Sequence, residues 1–318
     1  MYRVRRRRAR LGSLLILVLA ATVFAAARDP LEDKSRTLAA GPHTHASALS
    51  WPQQGQAALV LGDGRPAASP HQQPAPIASL AKLMTAYLTL ERHPLSGAQD
   101  GFTITVTADQ AQAASLAAAQ DESFVAVRAG EQLSERQLLQ ALLIPSGNNI
   151  ARMLAVLLAG SETSFLAEMN AEARALGMDH TIYTDPSGFD PGTVSTAADQ
   201  LRVLRRVMKF PVFRQIVSMA SVTLPVAGRV ANFNPLIADG YAGKTGSDSA
   251  AGGCLAFFTD VAVGARRQTA AGVVMGQGEG SDTSEILAAA GEAAEHLVDS
   301  VGSGTQREER LTPPRLPG

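Results

Sequence analysis

The chain is nearly without cysteine: Cys254 is the only one in 318 residues. An internal disulfide and any metal site built from several thiolates are thereby excluded. Cys254 opens the apolar run Cys254-Leu255-Ala256-Phe257-Phe258, where a buried strand thiol is expected rather than a reactive one. Net charge is also missing, with 28 Lys+Arg against 29 Asp+Glu. Outside the N-terminus the basic residues are scattered, and nothing points to a nucleic-acid partner. His43 and His45 have no further ligand near them, so neither a metal nor another cofactor is expected. No internal repeat is visible. Lysine itself is scarce, only Lys34, Lys82, Lys209 and Lys244. In a chain that otherwise uses arginine, each amine is informative, because lysine is the one of the two that can give up its proton.

What is present begins with a targeting segment at residues 1–27. Arg3, Arg5, Arg6, Arg7, Arg8 and Arg10 precede an apolar run from Leu11 to Ala27, and Ala25-Ala26-Ala27 fits signal-peptidase cleavage. A cleaved signal peptide and a retained N-terminal membrane anchor are both compatible with its length. In either case the arginines stay inside, and the rest is exported to the outer face of the membrane or the cell-wall space. Residues 28–55 read as a linker, 56–300 as the folded domain, and 301–318 as a disordered tail.

Within the domain, Gln56–Leu61 reads as a strand, and Asp63-Gly64 turns it into a second short one. The stretch after Pro76 carries Leu80, Leu83, Met84, Tyr87 and Leu88 at helical spacing and ends near Arg92. Phe102–Thr107 alternates like a half-buried strand. Ser134-Glu135-Arg136-Gln137 is a capping box opening a helix to Leu143. Pro145 stops that helix, and Ser146-Gly147-Asn148 holds a hydroxyl and an amide in the turn before a helix at Asn149–Ala159. A further helix at Phe165–Leu176 ends at Gly177, Asp185-Pro186-Ser187-Gly188 is a turn, and Thr196 with Asp199 caps another helix that stops before Pro211. From Val217 the period changes to two, with strands at Val222–Val226, Gly252–Phe258 and Ala270–Met275. The last helix spans Glu285–Val298. Strands at both ends around a helical middle imply an α+β fold, one antiparallel sheet with helices packed on it.

Ser79 and Lys82 stand three residues apart at the start of the first helix, which places hydroxyl and amine on one face within hydrogen-bond reach. A serine hydroxyl needs a neighbouring base to become a nucleophile, and a lysine kept neutral by burial or nearby positive charge can be that base. The pair alone is a short match.

Three motifs then stand in order, Ser79-x-x-Lys82, Ser146-Gly147-Asn148 and Lys244-Thr245-Gly246. This set resembles the penicillin-binding protein and β-lactamase superfamily. Ile77 to Ala86, Leu142 to Asn149, and Met169 to Ala173 with Leu176-Gly177-Met178 are similar to the D-alanyl-D-alanine carboxypeptidases, the S11 peptidases, over roughly Gln56 to Val298. The resemblance implies a β-lactamase/transpeptidase-like fold of about five strands with a helical subdomain. It implies a serine-type carboxypeptidase that trims peptidoglycan stem peptides ending in D-Ala-D-Ala and is acylated by β-lactam antibiotics. Ser79 would be the nucleophile, Lys82 the base, and Ser146 a proton relay. Asn148, Lys244, Thr245, Gly246 and Ser247 would bind substrate, with Gly243 and Gly246 letting a substrate strand approach. The backbone N–H groups of Ser79 and Ser247 would hold the oxyanion.

The sequence also departs from the superfamily. The Glu-x-x-Leu-Asn segment of class A β-lactamases is missing, and Gly147 replaces their aspartate, which favours the carboxypeptidase. No Lys or Arg lies between Arg267 and Arg307, so the arginine that often binds the substrate carboxylate has no counterpart near the last helix. A β-lactamase-like hydrolase and a non-catalytic, membrane-tethered wall-binding protein are the alternatives.

Overall fold

The computed structural model describes residues 49–118, 122–278, 280 and 282–311, with the side chains of 116–118 and 302–311 left out. All of them belong to one unit, Pro42–Gly318. The targeting segment and residues 28–48 of the linker lie outside the described residues.

β1 (Gln56–Leu61) turns into the short β2 (Ala67–Ala68), and β3 (Ala75–Pro76) leads through a single 3-10 turn at Ala78–Ala81 into α1 (Lys82–Arg92). The helical middle follows: β4 (Thr103–Thr105), α2 (Ala108–Ala118), β5 (Gln132–Ser134), α3 (Glu135–Leu143), α4 (Asn148–Ala159), α5 (Glu162–Ala175), β6 (Val194–Ser195), α6 (Ala197–Val207) and α7 (Pro211–Val217). β7 (Ser221–Leu224) and β8 (Gly228–Ala231) form a hairpin, and β9 (Ala242–Asp248), β10 (Gly252–Val263), β11 (Arg266–Gln277) and α8 (Thr283–Leu311) close the chain.

The main sheet has five antiparallel strands in the order β2-β1-β11-β10-β9. Its pleat sorts side chains to two faces. Ala58, Val60, Cys254, Ala256, Val273 and Met275 join the large core with the helical middle, whereas Ala57, Leu59, Leu61, Leu255, Phe257 and Val274 meet Ala290, Ala294 and Leu297 of α8. α1 is buried from Lys82 through Leu90, which makes it the central helix rather than a surface one. The Cys254 thiol is fully buried and burial pushes it up to about 12, as expected of a strand cysteine.

The Ser134 capping box is present, with Ser134 Oγ accepting from Gln137 N at 3.2 Å and Gln137 Oε1 accepting from Ser134 N at 2.9 Å. Several expectations are corrected. α7 begins at Pro211, where the helix was expected only to stop; proline lacks an N–H that the first turn does not need, so it opens helices as well. Residues 108–118, for which no element was expected, form α2, and Lys244 lies on the edge strand β9. α8 continues through residues 301–311, assigned above to a disordered tail; Gly302 and Gly304 cost about 1 kcal/mol each inside a helix, and no proline intervenes before Pro313. Residues 49–55, assigned to the linker, pack on the domain: Leu49 is buried in the α8-side core, and Gln277 Nε2 donates to Gln54 O at 2.8 Å. Among the described residues no single helix is long and apolar enough to cross a membrane.

Candidate active site

The turn that carries Ser79 is held in an unusual backbone shape. Ala78 has φ +43°, a left-handed value that costs a non-glycine residue about 1–2 kcal/mol. Opposite it lies Gly188 at φ +80°, where a Cβ would come within 1.8 Å of the Ala78 carbonyl oxygen. Only glycine fits there. The loop carrying Gly188 is organised by one carboxylate. Asp185 accepts from Ser187 N (3.1 Å), Gly188 N (2.9 Å), Phe189 N (3.1 Å) and Thr193 Oγ1 (3.0 Å). Thr85 Oγ1 donates to Pro186 O at 2.7 Å and ties the loop to α1.

Lys82 is 0 % exposed, and its Nζ has three partners. It lies 2.7 Å from Ser79 Oγ, 2.7 Å from Asn148 Oδ1 and 2.9 Å from Ser187 O. Burial holds its pKa well below the usual lysine value, and Lys244 and Arg152 depress it further against the opposing pull of Asp185 and Glu122. The like-charge effect expected from Lys244 is present, but burial is the larger cause. A neutral amine has two N–H donors and one lone pair. Asn148 Oδ1 and Ser187 O can only accept, so they take the two donors, and the lone pair is left for the Ser79 hydroxyl.

Ser146 sits in the α3–α4 turn at φ +63° and is buried. Pro145 prevents α3 from continuing, and Gly147 donates back to Ala141 O at 3.0 Å. Gly147, not Ser146 or Asn148, is the N-cap of α4 and makes no side-chain cap, so neither polar side chain is spent on capping. Asn148 donates from Nδ2 to Glu122 Oε2 at 3.1 Å, and Arg152 pairs with the same carboxylate at 2.8 Å. Asn149 binds both backbone groups of Val125, accepting from N at 3.0 Å and donating to O at 2.9 Å.

β9 forms the opposite wall. Lys244 is 1 % exposed, and its Nζ donates to Ser146 Oγ at 3.0 Å and Thr245 O at 2.7 Å. Burial lowers its pKa to about 7. A Cβ on Gly246 would meet Ile77 O at 2.8 Å and Ser79 N at 3.2 Å, and one on Gly243 would meet Ala256 O at 2.0 Å. Both glycines therefore make room for the protein's own backbone, not for a substrate strand as expected. Gly246 seats the edge strand on the nucleophile turn, with Ser247 half-buried after it.

The structure thus brings the three sequence motifs together. Ser79, Lys82 and Asn148 form one hydrogen-bonded group, and Ser146 and Lys244 form a second, close enough for Lys244 to act on Lys82. Sequence reasoning missed Glu122, Arg152, Asp185 and the Ser187 carbonyl. Of these, only the Asp185-Pro186-Ser187-Gly188 turn left a local signal.

A family model described as D-alanyl-D-alanine carboxypeptidase matches residues 67–278. A D-alanyl-D-alanine carboxypeptidase, DacB2 of Mycobacterium tuberculosis, is 37 % identical over 153 residues, 47 % of this chain and 48 % of the relative. A D-alanyl-D-alanine endopeptidase of Pseudomonas aeruginosa is 36 % identical over 141 residues, 44 % of this chain and 42 % of the relative. The chain spans about half the length of these curated relatives. Among solved structures, a penicillin-binding protein homologue from Mycobacterium tuberculosis superposes with TM-score 0.63 at 28 % identity, covering 88 % of this chain and 97 % of that one. The Streptomyces K15 DD-transpeptidase shares the fold, with TM-score 0.67 at 22 % identity over 80 % of this chain and all of that one.

Proposed function

This chain belongs to the D-alanyl-D-alanine carboxypeptidase family, and we propose on that premise that it removes the terminal D-alanine from peptidoglycan stem peptides through an acyl-enzyme on Ser79. One observation carries the reading: the Lys82 amine, fully buried, lies 2.7 Å from Ser79 Oγ with two pure acceptors, Asn148 Oδ1 and Ser187 O, as its other contacts.

In this reading Lys82 takes the Ser79 proton as Oγ attacks the carbonyl of the penultimate D-alanine. The oxyanion forms against the N–H groups of Ser79 and Ser247. Ser146 accepts from Lys244, which leaves its own O–H free to protonate the departing amine while Lys244 resupplies the proton. Asn148 keeps one Nδ2–H for the substrate backbone, since its oxygen serves Lys82 and its other N–H serves Glu122. Lys244 has three ammonium donors, of which two are used inside the protein; the third, with the Thr245 hydroxyl, would bind the terminal carboxylate. Water then hydrolyses the acyl-enzyme. Penicillin would enter the same path as far as the acyl-enzyme and stop there.

The N-terminal arginines and apolar run support export, with the domain acting outside the cytoplasmic membrane and tethered to it where the segment is retained. The similarity to D-alanyl-D-alanine endopeptidases supports a second substrate, a cross-linked stem peptide. Incubation with a stem pentapeptide ending in D-Ala-D-Ala, and separately with cross-linked muropeptides, tests both. Free D-alanine released by the wild type and not by Ser79→Ala is expected. Cleavage of the cross-linked substrate alone would favour the endopeptidase reading, and cleavage of neither would reject a peptidase.

A further inference from the structure

Asn148 is an amide with a donor end and an acceptor end, and the direction in which it is held decides what Lys82 can do. Its acceptor end faces Lys82 at 2.7 Å, and its donor end faces the Glu122 carboxylate at 3.1 Å. Turned over, Nδ2 would face Lys82 and donate into the amine lone pair, in competition with the Ser79 hydroxyl. Nothing local to the Ser146-Gly147-Asn148 turn prevents that. A carboxylate does, because it has no proton to offer and can only accept.

Glu122 is placed for this task. It is 7 % exposed, and Arg152 Nη2 reaches both its oxygens, Oε1 at 3.1 Å and Oε2 at 2.8 Å. Arg152 lies one helical turn after Asn148 on α4, so a single helix presents both the amide and the cation that pins its partner. The neighbouring chain is fixed to the same helix, since Asn148 N donates to Ser123 O at 2.8 Å and Asn149 clamps Val125. The charged groups that act on this corner are Lys82, Lys244, Asp185 and Glu162, besides Arg152.

We infer that Glu122 is a positioning residue: through the Asn148 side chain it holds the lone pair of Lys82 on Ser79. The inference rests on the reading of Ser79 and Lys82 as nucleophile and base, and it adds a residue that lies outside the three motifs.

A double-mutant cycle of Glu122→Gln and Asn148→Ala, read by the rate constant of acylation by a fluorescent penicillin and by the saturation constant, tests it. A glutamine can offer Asn148 either an oxygen or an NH2, so the amide direction is no longer imposed. Glu122→Gln should slow acylation on the order of ten- to hundredfold, the worth of one hydrogen bond to a charged group. It should change the saturation constant and the melting temperature little. In the Asn148→Ala background the same change should have almost no further effect on acylation. An additive cycle, or a Glu122→Gln enzyme with the wild-type rate, would overturn the inference. Should Glu122→Gln not fold, Glu122→Asp replaces it in the cycle, since aspartate keeps the charge for Arg152 and falls short of Asn148; the same outcomes then apply. A wild type that is never acylated at Ser79 would instead remove the catalytic reading itself, which this cycle would show at once.

Discussion

Lys244 reaches from the edge strand β9 to Ser146 in the α3–α4 turn, Nζ to Oγ at 3.0 Å, while Lys82 at the start of α1 reaches Ser79 at 2.7 Å. The two lysines are both buried, yet the proposed mechanism gives them opposite tasks: one amine would accept a proton, and the other would supply charge and a donor.

Arginine separates those tasks, because guanidinium stays protonated at any working pH. Lys82→Arg should lose acylation by penicillin at every pH. Lys244→Arg should retain measurable acylation, lowered by about tenfold or more because a planar fork does not fit the Ser146 contact in a buried site. In the wild type, acylation should fall on the acid side as Lys82 becomes protonated, at a pH well below that of an ordinary lysine, because burial and Lys244 disfavour its charged form. Acylation rates across pH for the three proteins check this. Equal losses at both positions would mean that Lys82 acts as a fixed charge.

Gly188 supports the turn that carries Ser79 by close backbone contact. Gly188→Ala adds a Cβ at 1.8 Å from Ala78 O, at a φ that alanine tolerates poorly. Stability should fall by more than about 2 kcal/mol, and acylation should fall as the Ser187 carbonyl moves off Lys82. Denaturant unfolding and penicillin labelling measure the two effects, and a wild-type rate in the variant would remove the loop from the mechanism.

Much of this was legible in the sequence. Ser79, Lys82, Ser146 and Lys244 stood in short motifs, and strands at both ends of the domain implied one antiparallel sheet, whose count of about five strands came from the family resemblance. The alternation of Cys254, Leu255, Ala256 and Phe257 between the two sheet faces is a local property of the chain. Glu122 was not legible, since its contact with Asn148 spans 26 residues and depends on how residues 122–125 meet α4. The Ser187 contribution is a main-chain oxygen, which no residue type announces. α7 was missed because Pro211 was taken only as a stop, although proline also starts helices. Gly243 and Gly246 were noticed for the right property, a missing Cβ, but what fills the space could come only from the fold.

Glu135 carries a prediction remote from the chemistry. Glu135 is 1 % exposed, its Oε1 has no hydrogen-bond partner among the described residues, and burial raises its pKa to about 7, against the backbone N–H of Phe102 and the charge of Arg136. A raised folded-state value favours the protonated form, so its contribution to stability is full below the unfolded value near 4.5 and is lost as pH rises through about 7. Glu135→Gln, neutral at all pH, should match the wild type at pH 5 and exceed it at pH 8 by about 1–3 kcal/mol. Unfolding free energies at the two pH values check it; a variant less stable at pH 8 would mean that the ionised carboxylate has a partner.

The most direct test of the catalytic reading is the covalent adduct itself. The wild type is incubated with a penicillin at neutral pH, quenched, digested and mapped by mass spectrometry, with the intact adduct followed over time. A single adduct on Ser79 that persists well beyond the time of its formation, and is absent from Ser79→Ala, is the predicted result. An adduct on another residue, no adduct, or fast repeated turnover of the penicillin would contradict it.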